Sequence, residues 1–153
     1  LFKSFEGTLN NFSNEHGMAN SRARLRMTTL YQVAAANKGI VVGTGNKVED
    51  FGVGFYTKYG DGGVDISPIA DCNKTEVWEL GKELGILDEI INAAPTDGLW
   101  DDGRTDEGQL GLSYKELEEA MNNENSVNRE KYNSIRNANL HKMEPIPVCK
   151  IPN

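Results

Sequence analysis

Between Gly39 and Ser67 the chain reads GIVVGTGNKVEDFGVGFYTKYGDGGVDIS, and the chemistry-bearing side chains are close together there. Thr44 offers a hydroxyl, Glu49, Asp61 and Asp65 offer carboxylates, and Lys58 offers a cation, on two turns rich in glycine. Glycine lets backbone N–H groups approach a ligand, and a carboxylate next to a cation and a hydroxyl suits a nucleotide held with a divalent metal. Two readings of the stretch stay open at this point. GTGN is an ordinary turn and TKYGDGG an ordinary surface loop, since glycine, asparagine and aspartate favour turns for local reasons; or the two together form a nucleotide and metal site.

The elements that would position these groups can be read from the flanks. Ile40, Val41 and Val42 make a short β-branched apolar run of the kind that forms a parallel strand covered on both faces. Ligands of open α/β sheets bind beyond the carboxyl ends of such strands. Before this run, Met27, Leu30, Tyr31 and Ala34 fall on one face of a helix expected over 20–37, stopped by Asn37 and Gly39. Arginines one residue apart on a helix project in different directions, so of Arg22, Arg24 and Arg26 only one is expected to point at the strand end. Residues 1–18 read as a loop with a helical turn.

After the second glycine turn, Ile66, Pro68 and Ile69 suggest a brief extended segment. Asn73 and Glu76 start a helix with Val77, Leu80 and Leu84 inward and Trp78 beside them, ended by Gly85. A short helix carrying Leu87, Ile90, Ile91 and Ala94 stops at Pro95. The acidic segment 96–108 does not fit a calcium loop in its spacing and is expected to be a mobile lid. Ser113 and Glu116 form a capping box ahead of Tyr114, Leu117, Ala120 and Met121, the inner face of another helix. A last helix over about 127–140 has Ile135 and Ala138 inward, followed by a proline-punctuated tail. A helix leading directly into a strand, with a further helix after it, is the unit of a doubly wound α/β sheet.

At 153 residues the expectation is one folded unit. A net charge of −7 argues against nucleic acid and anionic membranes as partners, although a few cations in a cleft still allow a phosphorylated small molecule. With no long apolar run and no basic, apolar amino-terminal pattern, a cytoplasmic location is expected. Cys72 and Cys149 are widely separated and read as reduced, structural thiols.

The motifs ARLRM, GTGNKVE, TKYGDGGVD, NKTEVWELGKELG, AAPTDGLW, DEGQLGLSY and a late His-Lys pair, in this order, resemble the bacterial ammonia-dependent NAD synthetases over about 20–142. The resemblance implies a Rossmann-like, doubly wound α/β fold of the adenine nucleotide alpha-hydrolase type, present in part, and a homodimer. It implies an ATP- and Mg2+-dependent ligase that adenylates the nicotinate carboxylate of deamido-NAD and lets ammonia displace AMP to give NAD. Matched one position at a time, Arg24, Lys58, Asp65, His141 and Lys142 stand where the family binds deamido-NAD. Thr44, Lys74 and Thr96 stand where it binds ATP, and Glu49 where it binds magnesium. Lys74 and Asp65 are the candidates for the chemical steps: Lys74 as a cation on phosphate, Asp65 as a hydrogen-bond acceptor or as acceptor of an ammonium proton. Relative to some relatives, one extra residue lies between Glu49 and Lys58.

The family's SGGxDS pyrophosphate loop is not in these residues. The resemblance therefore implies that residues 1–153 are the carboxyl-terminal part of a single synthetase domain, inactive alone. Two other readings remain: a glutamine-dependent NAD synthetase or related ATP-pyrophosphatase ligase, and a non-catalytic nucleotide-binding module.

Overall fold

A computed structural model describes residues 1–12 and 14–152. Helix α1 (Phe2–Thr8) and a 3-10 turn (Asn10–Phe12) precede the long α2 (Glu15–Ala36). Helix α2 starts five residues earlier than its apolar pattern suggests, because the Asn14 side chain accepts from the Gly17 N–H at 2.8 Å and caps a polar first turn. The inward face also differs from the expected one. Ala19 and Ala23 are buried while Leu30 is exposed. Small residues are what this packing needs, since a Cβ on Gly60 would lie 2.9 Å from the Ala23 Cβ.

The expected strand is reduced to a single parallel bridge, Val42 to Ile66, among the described residues. Gly43 N–H donates to the Ile66 carbonyl at 2.7 Å and Asp65 N–H to the Val41 carbonyl at 2.9 Å. Val41 is buried, but Ile40 and Val42 are exposed, so the run is not covered on both faces as its composition suggests. Burial of a strand on both faces needs neighbouring strands and helices, and one bridge supplies neither.

Beyond the glycine turn the chain winds into a π-helical segment, Lys47–Val53. Asn46, itself buried, accepts from the Val48 and Glu49 N–H groups, and Gly54 closes the segment at φ 65°.

Helices α3 (Lys74–Glu83), α4 (Asp88–Ile91), α5 (Asp106–Leu110), α6 (Tyr114–Asn122) and α7 (Arg129–Met143) follow. The core gathers Val48 and Val53 from the π-helical segment, Leu110, Leu112, Tyr114, Leu117 and Ala120 from α5–α6, and Tyr132 from α7. Trp78, not Leu80 or Leu84, is the α3 side chain packed on it, and both leucines are exposed. On α7, Tyr132 and Ile135 face inward whereas Ala138 is exposed. Helix α7 also closes the end of the π-helical segment: Arg136 donates to the Phe51 and Gly52 carbonyls, and Asn139 Nδ2 to the Val53 carbonyl at 3.0 Å. Those carbonyls sit at a helical end with no further turn to accept from.

Candidate active site

Glu49 lies in the first turn of the π-helical segment and Lys74 opens α3, and the two meet: Lys74 Nζ is 3.0 Å from Glu49 Oε1. Their side chains are only 19% and 15% exposed, so the pair is weakly screened. The Tyr114 hydroxyl donates to the same Oε1 at 2.5 Å and lies 3.1 Å from Asp106 Oδ2. One phenol proton cannot serve two carboxylates equally, and the shorter contact assigns it to Glu49. Burial, ahead of neighbouring charge, lifts the Asp106 carboxyl above its ordinary range, and its Oδ2 lies within hydrogen-bond distance of the phenol oxygen. Burial also raises the Tyr114 phenol, reinforced by Glu49. Lys74 Nζ sits 4.9 Å from the centre of the Tyr114 ring. Glu49 Oε2 makes no hydrogen bond among the described residues.

Next to this cluster Asp50 folds back over the glycine turn, where a Cβ on Gly45 would come within 2.1 Å of its carboxylate. Its carboxyl is pushed up to about 6, first by burial and then by the charges of Glu49 and Asp61. Thr44 is exposed and lines a cavity of about 370 Å3 shared with Arg26, Val42, Asp61, Asp97 and Leu99.

Arg24, Lys58, His141 and Lys142 come together in a second group. Arg24 Nε donates to the Lys58 carbonyl at 3.2 Å, and Lys58 Nζ to the His141 carbonyl at 2.5 Å. Lys142 Nζ donates to the Gly54 and Tyr56 carbonyls at 2.9 and 2.8 Å, and burial lowers its ammonium below the ordinary lysine range. Asp65 occupies both oxygens with protein donors, Oδ1 accepting from the Tyr31 hydroxyl at 3.2 Å and Oδ2 from the Val41 N–H at 2.8 Å. Thr96 accepts from the Gly98 N–H and makes no hydrogen bond to either group among the described residues. The segment that follows it is fastened down: Arg22 and Arg26, four residues apart on one face of α2, donate to the Leu99 and Gly98 carbonyls at 2.7 and 2.9 Å. Arg24 diverges from them, and all three arginines find carbonyl partners.

Sequence reasoning placed Tyr114 in the core and overlooked its hydroxyl and Asp106. A signal was available: a tyrosine on the inner face of a helix needs a partner for its hydroxyl.

Among the described residues the chain is helix-rich with a single parallel bridge, and the solved structures that it resembles are synthetases with an α/β fold of the adenine nucleotide alpha-hydrolase type. Over 98% of its length the chain superposes on 63% of the NMN synthetase from Francisella tularensis, with a TM-score of 0.88 and 33% identity. The NH3-dependent NAD synthetase from Campylobacter jejuni shares this fold with a TM-score of 0.69 over 97% of this chain and 63% of that one, at 23% identity. The family model described as NAD synthase matches residues 1–150, and the chain belongs to the NAD synthase family. Among curated relatives, the NH(3)-dependent NAD(+) synthetase of Carboxydothermus hydrogenoformans is 52% identical over 101 residues, 66% of this chain and 41% of that protein. Those of Methanosarcina acetivorans and Mesoplasma florum are 42% and 43% identical, covering 84% and 93% of this chain but 56% and 57% of theirs. The chain spans about half the length of the curated relatives it matches.

Proposed function

We propose that the chain serves NAD biosynthesis, in the amidation of deamido-NAD by ammonia at the expense of ATP. The nicotinate carboxylate attacks the α-phosphate and pyrophosphate leaves; ammonia then attacks the acyl adenylate, loses a proton, and AMP leaves. The observation that carries this reading is the Glu49–Lys74 pair beside the glycine turn of Thr44, at the carboxyl end of the bridged segment. The reacting centre is crowded with negative charge, and Lys74 supplies a cation to it from the first turn of α3, where the helix dipole adds to its field.

Among the described residues no three or more His, Cys, Asp or Glu side chains converge on a point that could hold a metal. Magnesium is commonly held by one or two carboxylates together with substrate phosphates, and Glu49, with Oε2 unengaged, fits that single-carboxylate role. When bound, the metal neutralises charge on the leaving pyrophosphate.

Thr44, on the rim of the cavity, contacts ATP, and so does Thr96 at the root of the segment that Arg22 and Arg26 hold down. Arg24, Lys58, His141 and Lys142 bind deamido-NAD, Lys142 exchanging a backbone carbonyl for the ligand. Asp65 also belongs to the deamido-NAD site, where it first holds the segment that carries Thr44. Whether it also takes the ammonium proton depends on Tyr31 or Val41 releasing an oxygen. A cytoplasmic homodimer completes the reading.

Calorimetry with the chain tests it directly: deamido-NAD binds more tightly than NAD. Equal affinity for the two overturns the proposal. The 153-residue chain alone makes no NAD, because the SGGxDS segment that would hold pyrophosphate is not among its residues, and measurable turnover refutes that.

A second reading, favoured by the likeness to a protein named NMN synthetase, is the same amidation carried out on a mononucleotide. Tighter binding of nicotinate mononucleotide than of deamido-NAD in the same titration selects it.

A further inference from the structure

Tyr114 is fully buried, yet its hydroxyl reaches a carboxylate that the proposed function assigns to a metal. Three restraints hold the ring. Its backbone N–H donates to Glu107 Oε1 at 2.9 Å, it sits at the start of α6 behind the Ser113–Glu116 capping box, and Trp78 packs edge-on against it at 6.2 Å. Asp106, 6% exposed, backs the phenol oxygen at 3.1 Å. The hydroxyl is therefore a fixed donor, placed by the core with no freedom to follow a moving partner.

Its target is a single oxygen. Tyr114 Oη and Lys74 Nζ both lie within hydrogen-bond distance of Glu49 Oε1, at 2.5 and 3.0 Å. Two donors on one oxygen fix the rotation of the carboxylate and leave Oε2 without a hydrogen-bond partner among the described residues. Lys74 alone could not do this, because its long side chain swings and is itself assigned to phosphate. A rigid partner behind a metal-ligating carboxylate sets the orientation of that ligand.

We propose that Tyr114 is a positioning residue for Glu49: its hydroxyl, braced by Asp106, pins Oε1 so that Oε2 is presented to the metal. The inference rests on the reading of Glu49 as the metal ligand.

Mn2+ serves as the probe, titrated by electron paramagnetic resonance into the full protein carrying these residues, in the presence of a non-hydrolysable ATP analogue. Tyr114→Phe removes only the oxygen and keeps the ring. It weakens Mn2+ binding by about 10- to 100-fold, the range seen when a partner behind a metal ligand is lost. Glu49→Gln abolishes the protein's contribution to Mn2+ binding. The thermal midpoint without metal records any loss of packing separately, and a residue that only fills the core leaves Mn2+ affinity unchanged. Wild-type affinity in Tyr114→Phe, alongside loss in Glu49→Gln, overturns the role of Tyr114 and leaves the metal reading standing. Unchanged affinity in Glu49→Gln overturns both. If Tyr114→Phe does not fold, Asp106→Ala, which unbraces the phenol, is judged by the same criterion: weaker Mn2+ binding supports the proposal and wild-type binding ends it.

Discussion

On the proposed function, the Lys74–Glu49 pair serves stability and chemistry together. Both side chains are largely buried, so removing one charge strands the other. Lys74→Met is expected to destabilise the protein by about 2 to 3 kcal/mol in urea unfolding, somewhat below the full cost of breaking a buried pair because Tyr114 still donates to Glu49. Adding Glu49→Gln to that variant recovers most of the loss, since no uncompensated charge is left. A double variant less stable than the single one contradicts this account. Lys142 carries a different lesson. Its ammonium spans two backbone carbonyls, so Lys142→Ala is expected to cost stability in urea unfolding and, on the proposed function, deamido-NAD binding in calorimetry as well. Lys58→Ala, at a half-buried side chain whose ammonium meets a single carbonyl, costs mainly binding.

At the scale of elements, the π-helical segment is the part most sensitive to backbone change. Gly54 ends it at φ 65°, and a Cβ there would lie 2.7 Å from the Asn139 Cβ on α7. Gly54→Ala therefore meets both left-handed strain and a clash, and is expected to cost about 2 to 4 kcal/mol in the same unfolding experiment. Helix α6 depends on its start. Ser113 Oγ accepts from the Glu116 N–H at 3.3 Å, and Glu116 Oε2 accepts from the Ser113 N–H at 2.7 Å. Ser113→Ala is expected to remove about 1 kcal/mol, the usual worth of an N-cap. The Ser113 backbone N–H, and then its hydroxyl, hold the Glu116 carboxyl below its ordinary value of 4.5. The fold thus favours the charged form. Its contribution is complete above that value and disappears as pH falls through the lower folded value. Glu116→Gln should lower stability at neutral pH, where that contribution is complete, and match the unmodified protein below the folded value, so that the acid limb flattens; an unchanged acid limb refutes the assignment.

For the molecule as a whole, the open side of the Val42–Ile66 bridge is the outstanding feature. Ile40, Val42 and Ile66 are all exposed, and Leu30, also exposed, shares the neighbouring cavity with Val42. An apolar face of this kind next to unpaired backbone invites association. The 153-residue chain is expected to self-associate with rising concentration in light scattering, and Ile40→Lys to reduce it. Concentration-independent scattering by the unmodified chain argues against an adhesive face. The charge of −7 does not prevent such contact, because salt screens it at physiological ionic strength.

The sequence by itself determined the pieces whose causes are local. The Asn73 and Ser113 helix starts, the glycine turn after Val42 and the order of motifs that resembles the NAD synthetases were all legible, because caps, turns and short motifs act within a few residues; the short helix expected to run to Pro95 ends instead at Ile91. Tertiary structure decided which faces are covered and which side chains meet. Periodicity marked Leu30, Leu80 and Leu84 as inward, yet Ala23 and Trp78 took those places, since burial depends on the neighbour that arrives. The Glu49–Lys74 and Glu49–Tyr114 contacts join residues 25 and 65 positions apart, and Asp65 and Lys142 engage backbone groups of distant segments. A pattern along the chain carries no information about the distance between two elements in space; only their packing sets it.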